Sequence, residues 1–170
     1  MGKINDEEFI KVYEENKTSV FRIAFSYIGV WEDAENIMQD TFLKLYTDPP
    51  KDKSNLVYWL ARVTRNLCLD FLRAKKREEN AISEFKKNNF KKEIRSVEFD
   101  ILPFISKLPE NYSSVIRLHY YGGLNIKDIA ITLKTSESNV KKRLARSREK
   151  LKKMIEEEQH EWYWKKINRF

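Results

Sequence analysis

Apolar residues recur every three to four positions along most of the 170-residue chain, and sustained strand-type alternation occurs nowhere. This spacing predicts an all-α fold. Glycines and prolines mark breaks between the helices at Gly29, at the Asp48-Pro49-Pro50 turn, at Pro109 and at Gly122-Gly123. The predicted helices cover residues 6–28, 32–46, 55–77, 101–107, 109–121, 125–134 and 137–156.

A polar, Lys- and Asn-rich stretch without helical apolar spacing divides the chain at residues 79–100. We interpret it as a flexible linker that joins two small helical domains, residues 1–78 and 101–155. The aromatic tail 156–170 has no assigned role. It could be a short helix that packs on the C-terminal domain, a partner-binding segment or a disordered end.

The positive charge is concentrated in two blocks. The chain carries 33 Lys+Arg against 26 Asp+Glu, a net charge of +7. Residues 61–95 and 135–155 each carry a net charge of +6, while residues 1–60 carry −4. Two separate basic blocks suggest two contacts along one polyanion. The alternative is a pair of basic helix faces that only contact solvent.

Several function classes are disfavoured by the composition. One cysteine, Cys68, and two histidines exclude a disulfide framework and a Cys-cluster zinc site, so we expect no metal site. No phosphate-binding glycine loop or catalytic triad pattern occurs, so we expect no cofactor, no small-molecule substrate and no enzyme activity. No apolar run is long enough to span a membrane, and the expected compartment is the cytoplasm.

The C-terminal block has the pattern of a helix-turn-helix. Asn125 can cap a first helix, and Ser136 can cap a second one after a short turn. Val140, Leu144, Ser147 and Leu151 share the inward face of that second helix. A basic helix with small or polar residues near its N-terminus suits a DNA major groove. The outward candidates for DNA contact are Ser138, Asn139, Lys141, Lys142, Ala145 and Arg146. Arg143 and Arg148 lie nearer the packed side, as phosphate clamps or internal salt-bridge partners. An ordinary helical hairpin is the alternative.

The basic helix of the N-terminal domain combines cations with an aromatic residue. Helical spacing predicts a buried stripe of Leu56, Leu60, Val63, Leu67 and Phe71, with Cys68 beside it as a small packed residue. The opposite face carries Tyr58, Arg62, Arg65, Asn66 and Arg73, and Trp59 borders it. Aromatic rings and arginines together can hold unstacked single-stranded bases. In the alternative interpretation, Trp59 belongs to the core and the arginines provide solubility.

The preceding helix presents an apolar residue within a polar face. Ala34, Ile37, Met38, Thr41 and Leu45 form its predicted inward stripe. Leu43 lies on the reverse face. An apolar centre with a polar rim is typical of a small protein-docking site, and the acidity of this rim argues against DNA. The rim around Leu43 consists of Glu32, Asn36, Gln39 and Asp40. The candidate docking residues are Asp33, Asn36, Gln39, Asp40 and Leu43.

Taken together, the segments resemble bacterial RNA polymerase sigma factors of the extracytoplasmic-function (ECF) class. The N-terminal blocks DAENIMQDTFLKLY (33–46) and YWLARVTRNLCLDFLR (58–73) resemble sigma region 2. Leu108-Pro109 with the blocks GLNIKDIA (123–130) and SNVKKRLARSREKL (138–151) resembles sigma region 4. The order and separation of the blocks contribute as much to the resemblance as the blocks themselves.

This resemblance implies partners and residue roles. The partners would be core RNA polymerase, through its β′ clamp helices and β flap, and promoter DNA, with an anti-sigma factor as a further candidate. The candidate docking residues would contact the clamp helices. The −35 element would be read as duplex by the second helix of the helix-turn-helix, with Arg143 among its DNA contacts. The melted −10 element would contact Lys53, Ser54, Tyr58, Trp59, Arg62, Arg65, Asn66 and Arg73.

The leading hypothesis is therefore a promoter-specificity subunit of RNA polymerase. The competing hypothesis is a stand-alone helix-turn-helix regulator, which would bind its operator tightly without polymerase. A sigma factor should bind DNA weakly and with strong salt dependence when it is free of polymerase. The identities of Lys142 and Ala145 do not predict a promoter sequence, since both positions vary in the family.

Overall fold

The computed structural model of the chain describes residues 4–83 and 101–167, with side chains for residues 4–81 and 101–158. These residues contain seven α-helices and no strand, which confirms the all-α prediction. The chain folds as two units, Met1–Asp100 and Ile101–Phe170. No helix within the described ranges is long and apolar enough to span a membrane.

Three helices that all contact one another form the N-terminal unit: α1 (Asp6–Ile28), α2 (Trp31–Thr47) and α3 (Leu56–Ser83). Gly29 ends α1 in the left-handed conformation (φ 70°), where its N–H donates to the Phe25 carbonyl at 2.8 Å. A 3-10 turn, Lys53–Asn55, precedes α3. The α2–α3 loop, residues 48–55, contains this turn and both prolines.

The core of this unit joins residues that are distant in sequence. Ile4, Val12 and Val20 contribute from the N-terminal segment, and Phe42, Leu45 and Leu60 contribute from α2 and α3. The inward stripe predicted for α2 is confirmed, although Met38 is only half-buried. Phe42, which the predicted stripe omitted, is also buried.

The core-facing side of α3 differs from the predicted stripe. Leu60 and Cys68 are buried as predicted, but Leu56, Val63, Leu67 and Phe71 are only half-buried. The other buried positions are Ala61 and Thr64. Small side chains allow the helices to approach closely. The Thr64 hydroxyl donates to the Leu60 carbonyl at 2.7 Å, so its burial leaves no unpaired donor. The Thr64 oxygen also lies 3.3 Å from the Thr41 hydroxyl on α2.

The C-terminal unit is built around its last helix. Helices α4 (Leu102–Lys107), α5 (Glu110–Ile116) and α6 (Ile126–Thr132) all contact α7 (Glu137–Ile167). A π-type turn, Arg117–Tyr121, extends α5. The buried Ser147 hydroxyl donates to the Arg143 carbonyl at 2.6 Å and lies 3.2 Å from the Tyr112 carbonyl on α5. This contact joins α7 to α5.

Two helices are longer than predicted. Helix α3 continues to Ser83, and the rest of the predicted linker, residues 84–100, lies outside the described residues. Helix α7 continues to Ile167 instead of ending before the tail, and residues 168–170 also lie outside the described residues. Both extensions lack apolar periodicity, but they contain glutamate, alanine, lysine and glutamine, which favour helix without tertiary contacts.

Candidate DNA and polymerase interfaces

The helix-turn-helix consists of α6, a short turn and the first part of α7. The Asn125 side-chain oxygen accepts from the Asp128 N–H at 2.9 Å, and the Ser136 hydroxyl accepts from the Asn139 N–H at 3.2 Å. Both predicted caps are therefore formed. Lys134 turns the chain between the helices with a positive φ of 51°. The four residues predicted to face inward from α7 are all buried: Val140, Leu144, Ser147 and Leu151.

The opposite side of α7 faces solvent. We call its seven candidate DNA contacts the reading face of α7; six are exposed and Arg143 is half-buried: Ser138, Asn139, Lys141, Lys142, Arg143, Ala145 and Arg146. The Asn139 amide donates to the Thr135 hydroxyl at 3.1 Å, which fixes that side chain against the turn. Arg148 is exposed, and its Nε donates to the Tyr120 hydroxyl at 2.9 Å. This contact is a hydrogen bond to a neutral hydroxyl, so neither role predicted for Arg148, a phosphate clamp or a salt-bridge partner, is shown by it.

The polar face of α3 lies away from the buried line of that helix. It is defined by Tyr58, Arg62, Arg65, Asn66 and Arg73. Asn66 and Arg73 are exposed, and the other three residues are half-buried. An exposed ion pair joins Arg73 to Asp70 at 2.9 Å. Such exposed pairs contribute little to stability. Three of the five side chains are arginines, so this face carries positive charge.

Trp59 lies at the boundary between this polar face and the core. Its side chain is half-buried and packs against the cluster that contains Leu45 and Leu60. The interpretation of Trp59 as a core residue is therefore only partly met, since the ring contacts the core but retains exposed surface. Its stacking on an unpaired base remains a prediction.

The α2–α3 loop is held by its own hydrogen bonds. The Asp52 carboxylate accepts from the Ser54 N–H at 2.9 Å, and the Asn55 amide donates to the Ser54 hydroxyl at 3.0 Å. Hydrogen bonds from the Ser54 hydroxyl and N–H lower the pKa of Asp52 below its ordinary value of 3.8. Ser54 is exposed, whereas Lys53 is half-buried.

The candidate docking residues lie together on the outer side of α2. Asn36, Gln39, Asp40 and Leu43 are exposed, and Asp33 is half-buried. The Leu43 side chain is 59% exposed although it is fully apolar. On this side of α2, the apolar Leu43 lies within a rim of hydrogen-bonding side chains. We call the five candidate docking residues together the docking face of α2.

One contact of the α2–α3 loop was missed by sequence reasoning. The Lys53 ammonium forms an ion pair with the Glu8 carboxylate in the first turn of α1, with an N–O distance of 2.8 Å. The two residues are 45 positions apart, so no local sequence spacing could have revealed this pair.

Comparisons with known proteins identify the two units. Residues 12–78 match the family model of sigma-70 region 2, and residues 100–151 match that of sigma-70 region 4. The chain is 30% identical to the ECF RNA polymerase sigma factor SigM of Bacillus subtilis, covering 84% of this chain and 91% of the relative. It is 32% identical to the RNA polymerase sigma factor SigZ of the same organism, covering 72% of each chain.

A solved structure has the same fold. The sigma factor RpoE of Bartonella quintana, crystallised in complex with the anti-sigma factor NepR, matches with a TM-score of 0.69 at 21% identity. The match covers 88% of this chain and 98% of that one. With both sigma-70 regions matched in order and a relative at 30% identity over most of its length, this chain belongs to the ECF family of RNA polymerase sigma factors.

Proposed function

We propose that this sigma factor directs core RNA polymerase to promoters by holding the melted −10 element on α3 and reading the −35 element as duplex with α7. The observation that carries the proposal is the separation of faces on α7. A buried stripe fixes the helix in its unit, and the opposite side presents donors and small side chains to solvent. This is the arrangement that a groove-reading helix requires.

The reading face of α7 has the chemistry for base recognition. Asn139, Lys142 and Arg146 project from one side of the helix at spacings of three and four residues. Lysine and arginine donate to the acceptors of guanine, and asparagine can pair with adenine. Ala145 can contact a thymine methyl group. Arg143 is half-buried and is better placed for a phosphate than for a base edge.

The polar face of α3 and the adjoining loop have the chemistry for single-stranded DNA. Arg62, Arg65 and Arg73 would follow the phosphates, while Trp59 would stack with a base. The exposed Ser54 lies just before α3, where its hydroxyl could contact a base that has left the stack. Duplex recognition by α7 and single-strand capture by α3 are therefore separate tasks of the two units.

The docking face of α2 would bind the β′ clamp helices of the polymerase, and the β flap is the expected partner of the C-terminal unit. In this role the chain itself catalyses no reaction, and its compartment is that of the polymerase, the cytoplasm. The relative from Bartonella quintana was crystallised with an anti-sigma factor. We propose a protein of that class as a further partner.

Run-off transcription tests the proposal. Purified Bacillus subtilis core polymerase, whose activity is verified with a sigma factor of its own, is incubated with this chain and a template library randomised at the −35 and −10 elements. We expect transcripts that depend on the chain and are enriched in defined sequences at both elements. Absence of transcripts with an active core would refute the proposal. Tight binding to specific duplex DNA without polymerase would favour the stand-alone regulator instead.

A further inference from the structure

The first turn of α1 contacts the loop to which the proposed function assigns −10 recognition. The Glu8 and Lys53 side chains that form the 2.8 Å ion pair are 35% and 29% exposed. Because both side chains are partly buried, solvent screens the attraction between the two charges less than in a fully exposed pair. The region 2 match begins at residue 12, so Glu8 lies outside the matched segment.

Glu8 is held firmly on its own side of the contact. The Asn5 side chain caps α1 by accepting from the Glu8 N–H at 2.8 Å. Ile4, next to that cap, is buried in the core of the unit. In the same turn, Asp6 accepts a hydrogen bond of 3.4 Å from the Tyr46 hydroxyl at the end of α2. The Glu8 carboxylate therefore projects from an anchored turn.

The loop is also ordered locally around Lys53. The residues on both sides of this lysine are joined by the hydrogen bond from the Ser54 N–H to the Asp52 carboxylate, and Ser54 is bonded to Asn55. A tether on Lys53 therefore fixes the 3-10 turn as a unit. The Lys53 ammonium reaches the protein carboxylate at hydrogen-bond distance, which favours a tether over a phosphate contact for this residue.

We infer that Glu8 is a positioning residue for −10 recognition, because its ion pair with Lys53 fixes the α2–α3 loop and thereby the position of Ser54 before α3. This inference rests on the proposed function, since it takes the loop to be a DNA contact. Glu8 itself touches no DNA in this role. It sets how sharply the loop discriminates among −10 sequences.

The experiment uses full-length variants in the polymerase holoenzyme and the template library randomised at both elements. The variants are Glu8→Gln, Lys53→Met, the double variant and the charge reversal Glu8→Lys with Lys53→Glu. Glu7→Gln is the matched control, since Glu7 carries the same charge one position away and is exposed. Two quantities are measured separately. The −10 ratio is the enrichment of the best −10 sequence over its single mismatches, and the −35 ratio is the same enrichment at the −35 element.

We expect Glu8→Gln and Lys53→Met each to lower the −10 ratio about two- to fivefold, the range for a partly exposed ion pair. The double variant should fall no further than either single variant, because both remove one contact. The charge reversal should restore most of the ratio. The −35 ratio and the Glu7→Gln control should stay at the wild-type value.

Three results would overturn the inference. The −10 ratio could stay unchanged in Glu8→Gln, whatever the total transcript yield. Lys53→Met could lower it alone, which would make Lys53 a direct DNA contact. The −10 and −35 ratios could also fall together, which would indicate a general loss of structure. If the wild type selects no −10 sequence at all, the proposed function fails instead, so the two failures are distinguishable.

Discussion

Replacement of Leu43 by alanine tests the docking face most directly. Full burial of a leucine side chain contributes about 1.5–3 kcal/mol. Leu43 is 59% exposed in the free chain, so a partner can remove roughly that share of its surface from water. The substitution should therefore weaken binding to core polymerase by about 1–2 kcal/mol, which corresponds to roughly 5- to 30-fold in Kd. Folding should change little, since alanine favours helix.

The chain offers a closely matched control for this measurement. Ile10 on α1 is also 59% exposed and apolar, but it lies outside the docking face. Fluorescently labelled Leu43→Ala, Ile10→Ala and wild-type chains would be titrated with purified core polymerase and followed by anisotropy. The Ile10→Ala chain should bind like the wild type. Equal losses for both variants, or no loss for Leu43→Ala, would refute the assignment of the docking face to α2.

Four further outcomes are expected. Lys142→Ala should lower −35-dependent initiation by about 1–3 kcal/mol on promoters where this lysine contacts a base; an equal loss on all promoters would indicate a phosphate contact. Trp59→Leu keeps apolar volume at the core but loses the aromatic face, so permanganate reactivity of the −10 thymines should fall more than closed-complex formation; the reverse would refute stacking. Thr64→Val should lower the free energy of unfolding by about 1 kcal/mol in chemical denaturation, because the buried hydroxyl contacts are lost; a loss of the same size for the exposed Thr18→Val would contradict this. The Asp52 carboxyl should titrate below 3.8 by NMR, and Ser54→Ala should raise that midpoint; an unchanged midpoint would contradict the hydrogen-bonded turn.

The pH dependence of the loop follows from the sign of the Asp52 shift. Its pKa is lower in the folded chain than the ordinary value of 3.8, so the charged form is favoured by folding. The contribution of Asp52 to the turn is therefore fully present above that ordinary value and is lost as the pH falls through the lowered pKa. Near neutral pH, the turn should not respond to pH through this residue.

Local signals in the sequence predicted most of the helical framework. The αL glycine after α1, the proline before α5 and the caps of α6 and α7 all act over a few residues, so they are readable without tertiary information. The inward face of α7 was also predictable, including the buried Ser147. A serine can occupy such a position because its hydroxyl bonds to a carbonyl of its own helix.

The errors occurred where packing between helices decides. Hydropathy assigned Val63, Leu67 and Phe71 to the buried line of α3, but close approach of the helices favours small residues at the centre. Ala61 and Thr64 were omitted from the predicted stripe, whereas the packing of Cys68 was predicted. Spacing shows which residues share a face, but not which neighbour approaches closely enough to require small side chains. The ion pair of Glu8 and Lys53 was unpredictable for a similar reason, since it depends on how α1 lies against the α2–α3 loop.

The burial of Cys68 gives this protein an intrinsic reporter of conformational opening. Its side chain has no exposed surface, and it is the one cysteine in the sequence. Thiol reagents act on an accessible thiolate, so the native state should resist them. The rate of thiol modification would then measure how often the three-helix unit exposes its centre, without a signal from the other unit. Engineered surface cysteines could likewise be labelled selectively, with the natural residue left in place.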